Sequence, residues 1–377
     1  MDKSCCQGQV SGVVLIDLSA AFDLVDPELL IKKLKIYGLD DFFLAWIRTY
    51  LTERNQAVWI DHVYSEFVSN SIGVPQGSNL GPLFFLIYYS DLLYLLDCDV
   101  EVYADDSTMS DTGASVHEIG EKITNNCEKV VGWMASNQLK LNAEKTHILK
   151  VGTQQRINIT DDISVKMDGV TLVESEEKCE LLLGVQIQSN LKWHTHITDL
   201  VGKLRKRLTG LMKLKFLVPY SVRKTICQGI FNSVLVYCLP LFGGCSVGEL
   251  KELQLLQNRA VRIVSHSAPR TSRSSMYSEL GWMTVNQLVA YHTLVVVFKI
   301  RKCGEPEYLA SSLQNDGSTG KIIIPNPKLT LVKKSFLFRG ATDWNKLPTS
   351  VRLSSKIGEF KRGARKWVFE TIPRFLD

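Results

Sequence analysis

The sequence predicts an α+β protein in two parts, a mixed strand-and-helix half followed by a mostly helical one. Three observations carry this. Short apolar runs bounded by turn residues fill the first half, and long amphipathic stretches fill the second. A hairpin pattern sits at Asp99–Ser110, with Tyr103-Ala104-Asp105-Asp106 at its tip. The charge also changes sign along the chain. Residues 1–190 hold 14 Lys/Arg against 28 Asp/Glu, a balance of −14, and residues 191–377 hold 30 against 11, a balance of +19.

The elements follow in order. Gly12–Asp17 is a short β-branched run ending in a carboxylate, read as a buried strand. A turn follows at Ser19–Asp23. Pro27 opens a helix capped by Asp26, which ends at Tyr37-Gly38. Asp40 starts a second helix through Thr52, with Phe43, Trp46, Ile47, Tyr50 and Leu51 expected on one face. Gln56–Asp61 and Tyr64–Asn70 alternate as a hairpin. Gly73–Pro82 has three glycines and two prolines in ten residues and cannot be regular structure. A helix is expected over Pro82–Leu95. After the Asp99–Ser110 hairpin comes a helix over 115–138, with Val116, Ile119, Ile123, Cys127, Val130 and Met134 as its stripe. Ile148–Val151 and Glu180–Ile187 read as strands.

From Trp193 onward the pattern is helical: 194–216, 219–237, 247–265 and 279–302. Residues 267–277 and 303–330 read as loops. The segment from Lys333 is basic, with Phe336, Phe338, Trp344, Leu347 and Trp367 as anchors. The domain boundaries expected are 1–190, 191–265 and 266–377.

Nine unpatterned cysteines, without Cys-x-x-Cys or zinc spacing, point to reduced thiols and an intracellular protein, nuclear or cytoplasmic. No apolar run is expected to span a membrane, and no membrane partner is expected; the longest candidates are Leu80–Leu96 and Ile226–Phe242.

The chemistry rests on carboxylates. Two neighbouring Asp side chains repel each other, and a fold that sets them together usually supplies a cation. Hard oxygen donors at a tight turn suit Mg²⁺. Asp17, at the end of its strand, adds a third carboxylate from a separate element. Two-metal phosphoryl transfer uses such a set, with cations roughly 3.5–4 Å apart. A basic half would hold phosphates and an acidic half cations.

At these residues the chain resembles the reverse transcriptases of non-LTR retrotransposons, the jockey and LINE class. Val14–Asp23 is similar to the first catalytic motif, and Gly73–Ser78 with Gly81-Pro82-Leu83 to the nucleotide-pocket motif. Tyr103-Ala104-Asp105-Asp106 is similar to the second catalytic motif, and Asn142–Thr146 to the one after it. The likeness continues through Leu183-Gly184-Val185, Leu191-Lys192-Trp193, Gln257–Ala260 and Trp344–Pro348. It therefore covers nearly the whole chain.

The resemblance implies an antiparallel sheet with helices on one face (the palm, 1–190), a helical thumb (191–265) and a basic, mostly helical C-terminal region (266–377). It implies an RNA-directed DNA polymerase acting on an RNA template, a DNA primer and a deoxynucleoside triphosphate, with two Mg²⁺ ions or Mn²⁺. Asp17 and Asp105 would bind both ions, with Asp106 beside them. The Leu18 carbonyl, Phe22, Gln76, Gly77 and Lys145 would surround the nucleotide. Phe22, five residues after Asp17, takes the position of the ring that excludes a ribose 2′-hydroxyl. Lys203, Arg205, Lys206 and Arg207 are the candidates for nucleic-acid contact. His194 and His196 are not expected to hold a metal. Asn79 and Tyr88-Tyr89-Ser90 depart from the family pattern. The fingers that precede the first motif in the family are not in this sequence. The rival function is a non-catalytic remnant that at most binds RNA.

Overall fold

A computed structural model describes residues 9–373 apart from 266, 268, 269, 316, 318, 325, 326 and 328. It divides into two compact units, up to Leu182 and from Leu183 onward.

The first unit is built on a four-stranded sheet. Its order is His147–Val151, Val10–Ile16, Asp106–Gly113, Asp99–Tyr103, and every neighbour is antiparallel. Val10, Val14, Ile16 and Met109 are buried in one core with the helices Pro27–Ile36, Asp41–Thr52, Gly81–Tyr89 and Val116–Ser136. The α+β expectation is met.

Local chemistry explains the helix ends. The Asp26 carboxylate accepts from the Leu29 N–H at 2.8 Å, and that of Asp40 from Phe43 at 3.0 Å. Each satisfies an amide that the first turn leaves without a partner.

Some elements differ from the sequence reading. The second helix buries Leu44, Ile47 and Leu51, and leaves Phe43 and Trp46 exposed. Its apolar residues exceed one stripe, and packing selects the stripe centred on Ile47. Glu180–Ile187 is broken at Leu183 and Gly184, both at positive φ, into Cys179–Leu182 and Val185–Gln188. The hairpin Ser164–Met167 with Val170–Val173 was not expected, although its Asp168-Gly169 turn is a hairpin signal.

The second unit is helical, with two apolar clusters. One gathers His194–Leu214, Tyr220–Cys227, Val247–Ser265 and Arg273–Leu280. The other gathers Val285–Cys303, Phe336–Lys346 and Ile357–Thr371. Part of the 267–277 stretch, expected as a loop, is the helix Arg273–Leu280, capped by Ser272. Arg273–Cys303 is long and apolar enough to cross a membrane by length and composition, in contrast to the sequence expectation that no run would be. It is interrupted at Gly281–Thr284, and 67% of its apolar window is buried, as in a core helix.

Gln257-Asn258 serves a buried network. Gln254 Nε2 donates to the Tyr277 hydroxyl at 2.7 Å, and that hydroxyl donates to Asn258 Oδ1 at 2.9 Å. In the second cluster, Trp344 Nε1 donates to the Gly320 carbonyl and Asn345 pairs with the Ile322 backbone.

Candidate active site

Backbone register brings the first unit's carboxylates together. Leu15 lies across from Thr108, and Ile16 across from Ser107. Continuing that register by one residue sets Asp17 across from Asp106. In a pleated sheet alternate residues face opposite sides. Ile16 and Ser107 face the core and are buried, so Asp17 and Asp106 face the other side. Tyr103 pairs with Asp106, so Ala104-Asp105 is a two-residue turn. Ala104 takes φ +55°, which an alanine rarely adopts.

The electrostatics agree with this closeness. The Asp106 carboxyl is pushed above the ordinary carboxylate range, by partial desolvation first, then by Asp105, then by Asp17. Asp106 remains solvent-exposed, so the three groups share a wet site of like charge. Among the described residues none of the three has a cationic partner within ion-pair distance. Also among the described residues, no set of three or more His, Cys, Asp or Glu side chains stands close enough to cage a metal as it lies. Three hard, uncompensated carboxylates from two neighbouring strands fit a hard divalent cation that keeps some of its own waters.

The Asn142–Thr146 stretch clamps Asp17. The Asn142 N–H donates to the Asp17 carbonyl at 2.9 Å, and the Asp17 N–H to Thr146 Oγ1 at 3.3 Å. Thr146 Oγ1 donates to the Asn142 carbonyl at 2.8 Å, and Leu18 pairs with Leu141. This brings the turn holding the exposed Lys145 to the carboxylate strand.

The Gly73–Gly81 loop is fastened to the Phe22 segment. Gly73 N–H donates to Val25 O and Val74 N–H to Phe22 O, at 2.8 and 2.9 Å. The Arg54 guanidinium donates to the carbonyls of Ile72 and Gly73, each at 2.8 Å. Gln76 Nε2 donates to Asp23 Oδ1 at 2.9 Å. Gly77, at φ +78°, follows on the exposed rim. The half-buried Phe22 ring stacks on Phe85 with centroids 4.6 Å apart and planes 25° apart. So Asp17, Leu18, Phe22, Gln76, Gly77, Lys145, Asp105 and Asp106 all belong to one unit, on segments joined by backbone bonds.

Sequence reasoning missed Thr146 and Asp23 as supporting groups, along with Tyr89. In the sequence Asp23 reads as a turn residue. Tyr89 was visible only as a departure from the family pattern.

A profile of the family described as reverse transcriptase (RNA-dependent DNA polymerase) matches residues 2–190. This chain belongs to that family. The chain is 24% identical over 303 residues to the "Probable RNA-directed DNA polymerase from transposon BS" of Drosophila melanogaster, covering 78% of this chain and 32% of that protein. It is 24% identical over 262 residues to the "RNA-directed DNA polymerase from mobile element jockey" of the same organism, covering 66% of this chain and 28% of that protein. The chain thus spans about a third of the length of the curated relatives it matches. Among solved structures it is similar to the apo telomerase of Candida tropicalis, with a TM-score of 0.40 and 10% identity over 74% of this chain and 45% of that one. It is also similar to a Candida albicans telomerase in complex with a fragment of telomeric RNA, with a TM-score of 0.36 and 14% identity over 96% of this chain and 50% of that one.

The chain's basic helix lies in the second unit. Lys203, Arg205, Lys206 and Arg207 are exposed on His194–Leu214, but three of the four charges are engaged within that unit. Lys203 pairs with Asp199 at 2.7 Å, and Arg205 with Glu252 at 2.9 Å. Arg207 donates to the Ile230 carbonyl at 2.7 Å. Lys206 alone of the four has neither an ion-pair nor a hydrogen-bond partner for its charge among the described residues. His194 stands 3.4 Å from Glu249, whereas His196 is buried against Phe242.

Proposed function

We propose that this chain carries the catalytic centre of an RNA-directed DNA polymerase of the non-LTR retrotransposon type, with Asp17, Asp105 and Asp106 as its metal-binding carboxylates. The observation that supports this most is the convergence of those three uncompensated carboxylates beside a loop fastened to Phe22. The substrates are an RNA template, a DNA primer and a deoxynucleoside triphosphate. Residues 1–190 act as palm, 191–265 as thumb and 266–377 as a basic C-terminal region.

Asp17 and Asp105 hold two Mg²⁺ ions, or Mn²⁺, with Asp106 beside them and the Leu18 carbonyl within the same rim. Bound there, the ions supply activation of the primer 3′-hydroxyl and charge neutralisation at the leaving pyrophosphate. The polypeptide contributes position and charge. Phe22 bounds the sugar and excludes a 2′-hydroxyl. Gln76 and Gly77 line the nucleotide, where glycine lets backbone approach closely. Lys145 places a cation or proton donor toward the departing pyrophosphate. Lys206 is the member of the basic helix best placed to meet a phosphate, because its charge is not already used; Lys203, Arg205 and Arg207 join it by exchanging internal partners.

Primer extension on an RNA template tests the assignment. Asp105→Ala and Asp17→Ala should each abolish extension while leaving the helical circular dichroism unchanged, since loss of one carboxylate should cost several kcal/mol of transition-state stabilisation. Extension at the wild-type rate by either variant would overturn it.

A further inference from the structure

Tyr89 joins two parts of the site that are distant in sequence. It is almost wholly buried, at 1% exposure. Its ring stacks on Phe85 with centroids 5.6 Å apart and planes 18° apart, and Phe85 in turn stacks on Phe22. Trp133 closes the other side edge-on at 5.3 Å. The Tyr89 hydroxyl accepts a hydrogen bond from Ser107 Oγ at 2.9 Å.

Ser107 is the first residue after Asp106. In the sheet it lies between Ile16, which precedes Asp17, and Val102. The rung held by the Tyr89 hydroxyl is therefore the one next to the carboxylates. Because facing alternates, Ser107 fixed toward the core means Asp106 fixed toward the opposite side. The adjoining turn needs that restraint. Ala104 sits at φ +55°, and such backbone persists only where its surroundings over-determine it.

We propose that Tyr89 is a positioning residue with two separable roles. Its hydroxyl sets the facing of the Asp105-Asp106 turn through Ser107, and its ring sets Phe22 through Phe85. This rests on the polymerase reading of the site, and it concerns a residue at which the chain departs from the family pattern.

The test uses the full chain with Tyr89→Phe, Ser107→Ala, the double variant, and Tyr89→Leu. Mn²⁺ binding is followed by electron paramagnetic resonance on protein shown to be folded. Loss of a group that orients metal ligands typically weakens metal binding by tenfold or more, so Tyr89→Phe and Ser107→Ala should each lower Mn²⁺ affinity about tenfold. The double variant should be no weaker than either single one, because both remove the same bond. A merely structural role would lower the melting temperature without moving the affinity of the folded protein. Where extension is measured, Tyr89→Phe should keep discrimination against ribonucleotides, and Tyr89→Leu should lose it. Wild-type Mn²⁺ affinity in Tyr89→Phe, or additive losses in the double variant, would overturn the proposal even if the polymerase reading stands. Absence of extension by the wild-type chain would count against that reading, yet leave the Mn²⁺ cycle readable. Absence of Mn²⁺ binding by the wild type would overturn both.

Discussion

Replacing Asp106 by Asn should make the protein more stable at neutral pH and less responsive to Mg²⁺. The carboxyl of Asp106 is held above its ordinary range, by desolvation first and then by Asp105 and Asp17. A raised carboxyl means that the folded state resists the charge. The resulting cost is absent below the ordinary range near 4, where both states are protonated. It grows as pH rises and is complete above the raised value. Residues opposite one another in an antiparallel pair lie about 5 Å apart, and two like charges at 5 Å repel by ~0.8 kcal/mol in bulk water. Screening at physiological salt, with a Debye length of about 8 Å, roughly halves each repulsion. Two partners therefore leave about 0.8 kcal/mol, and desolvation adds to it. For a unit of this size that is a gain of roughly 2–3 °C in melting temperature.

Mg²⁺ should reverse the order. A ligand at ten times its dissociation constant adds about 1.4 kcal/mol to the state that binds it. Differential scanning fluorimetry of wild type and Asp106→Asn, at pH 7 and at about pH 4, with and without MgCl₂, would show it. The variant should melt higher without metal at pH 7, and the gap should narrow as pH falls toward the ordinary carboxylate range near 4. The wild type should gain more from the metal. A variant that melts no higher than wild type at pH 7 without metal, or that gains as much from Mg²⁺, would refute the picture of three repelling carboxylates sharing a cation site.

Three further outcomes are expected. Phe22→Ala should raise the kcat/KM for ribonucleotides relative to deoxynucleotides in primer extension, since the argument is steric; an unchanged ratio would make Phe22 a packing residue only. Lys150 is fully buried and donates to the carbonyls of Thr160 and Asp161, with the buried Glu174 carboxylate 3.9 Å away. Lys150→Met should therefore cost about 3 kcal/mol or more in urea unfolding, and adding Glu174→Leu should restore part of it. Gly77→Ala faces open space at φ +78° and should cost only about 1–2 kcal/mol for the left-handed backbone. Gly73→Ala at φ +73° also sets a methyl group 2.8 Å from the Asp23 backbone, so it should cost more than twice as much and loosen Gln76; equal losses would show that the loop is not fastened there.

Much of the first unit was legible because its signals are local. Asp26-Pro27 and Asp40 start helices by supplying acceptors to bare amides, and both caps are present. The strand Val10–Ile16 and the turn at Ala104-Asp105 follow from apolar runs bounded by breakers. What the sequence concealed depends on choices that only packing makes. The Asp41–Thr52 helix has more apolar residues than one stripe can bury, and Phe43 and Trp46 lost to Leu44 and Ile47. The Arg273–Leu280 helix lies in a polar stretch with almost no amphipathic pattern; it forms because Met276, Tyr277 and Leu280 fill the second unit's core.

The site divides along the same line. Asp17, Asp105 and Asp106 were readable because their chemistry is unusual for their positions, and register arithmetic then joins them. Thr146 and Tyr89 were not, because a hydroxyl that supports a neighbour's backbone or side chain has no signature of its own. Its meaning lies in a partner more than a dozen residues away, as with Thr146 and Asp17, or Tyr89 and Ser107. Charge is legible in amount but not in engagement. Lys203, Arg205, Lys206 and Arg207 form a dense basic run, yet Asp199, Glu252 and the Ile230 carbonyl already hold three of them. A run of like charge shows how much charge a helix carries. Which of those charges already has a partner is decided by the acids and carbonyls that the fold brings alongside, and on this helix Lys206 is the one without a partner among the described residues.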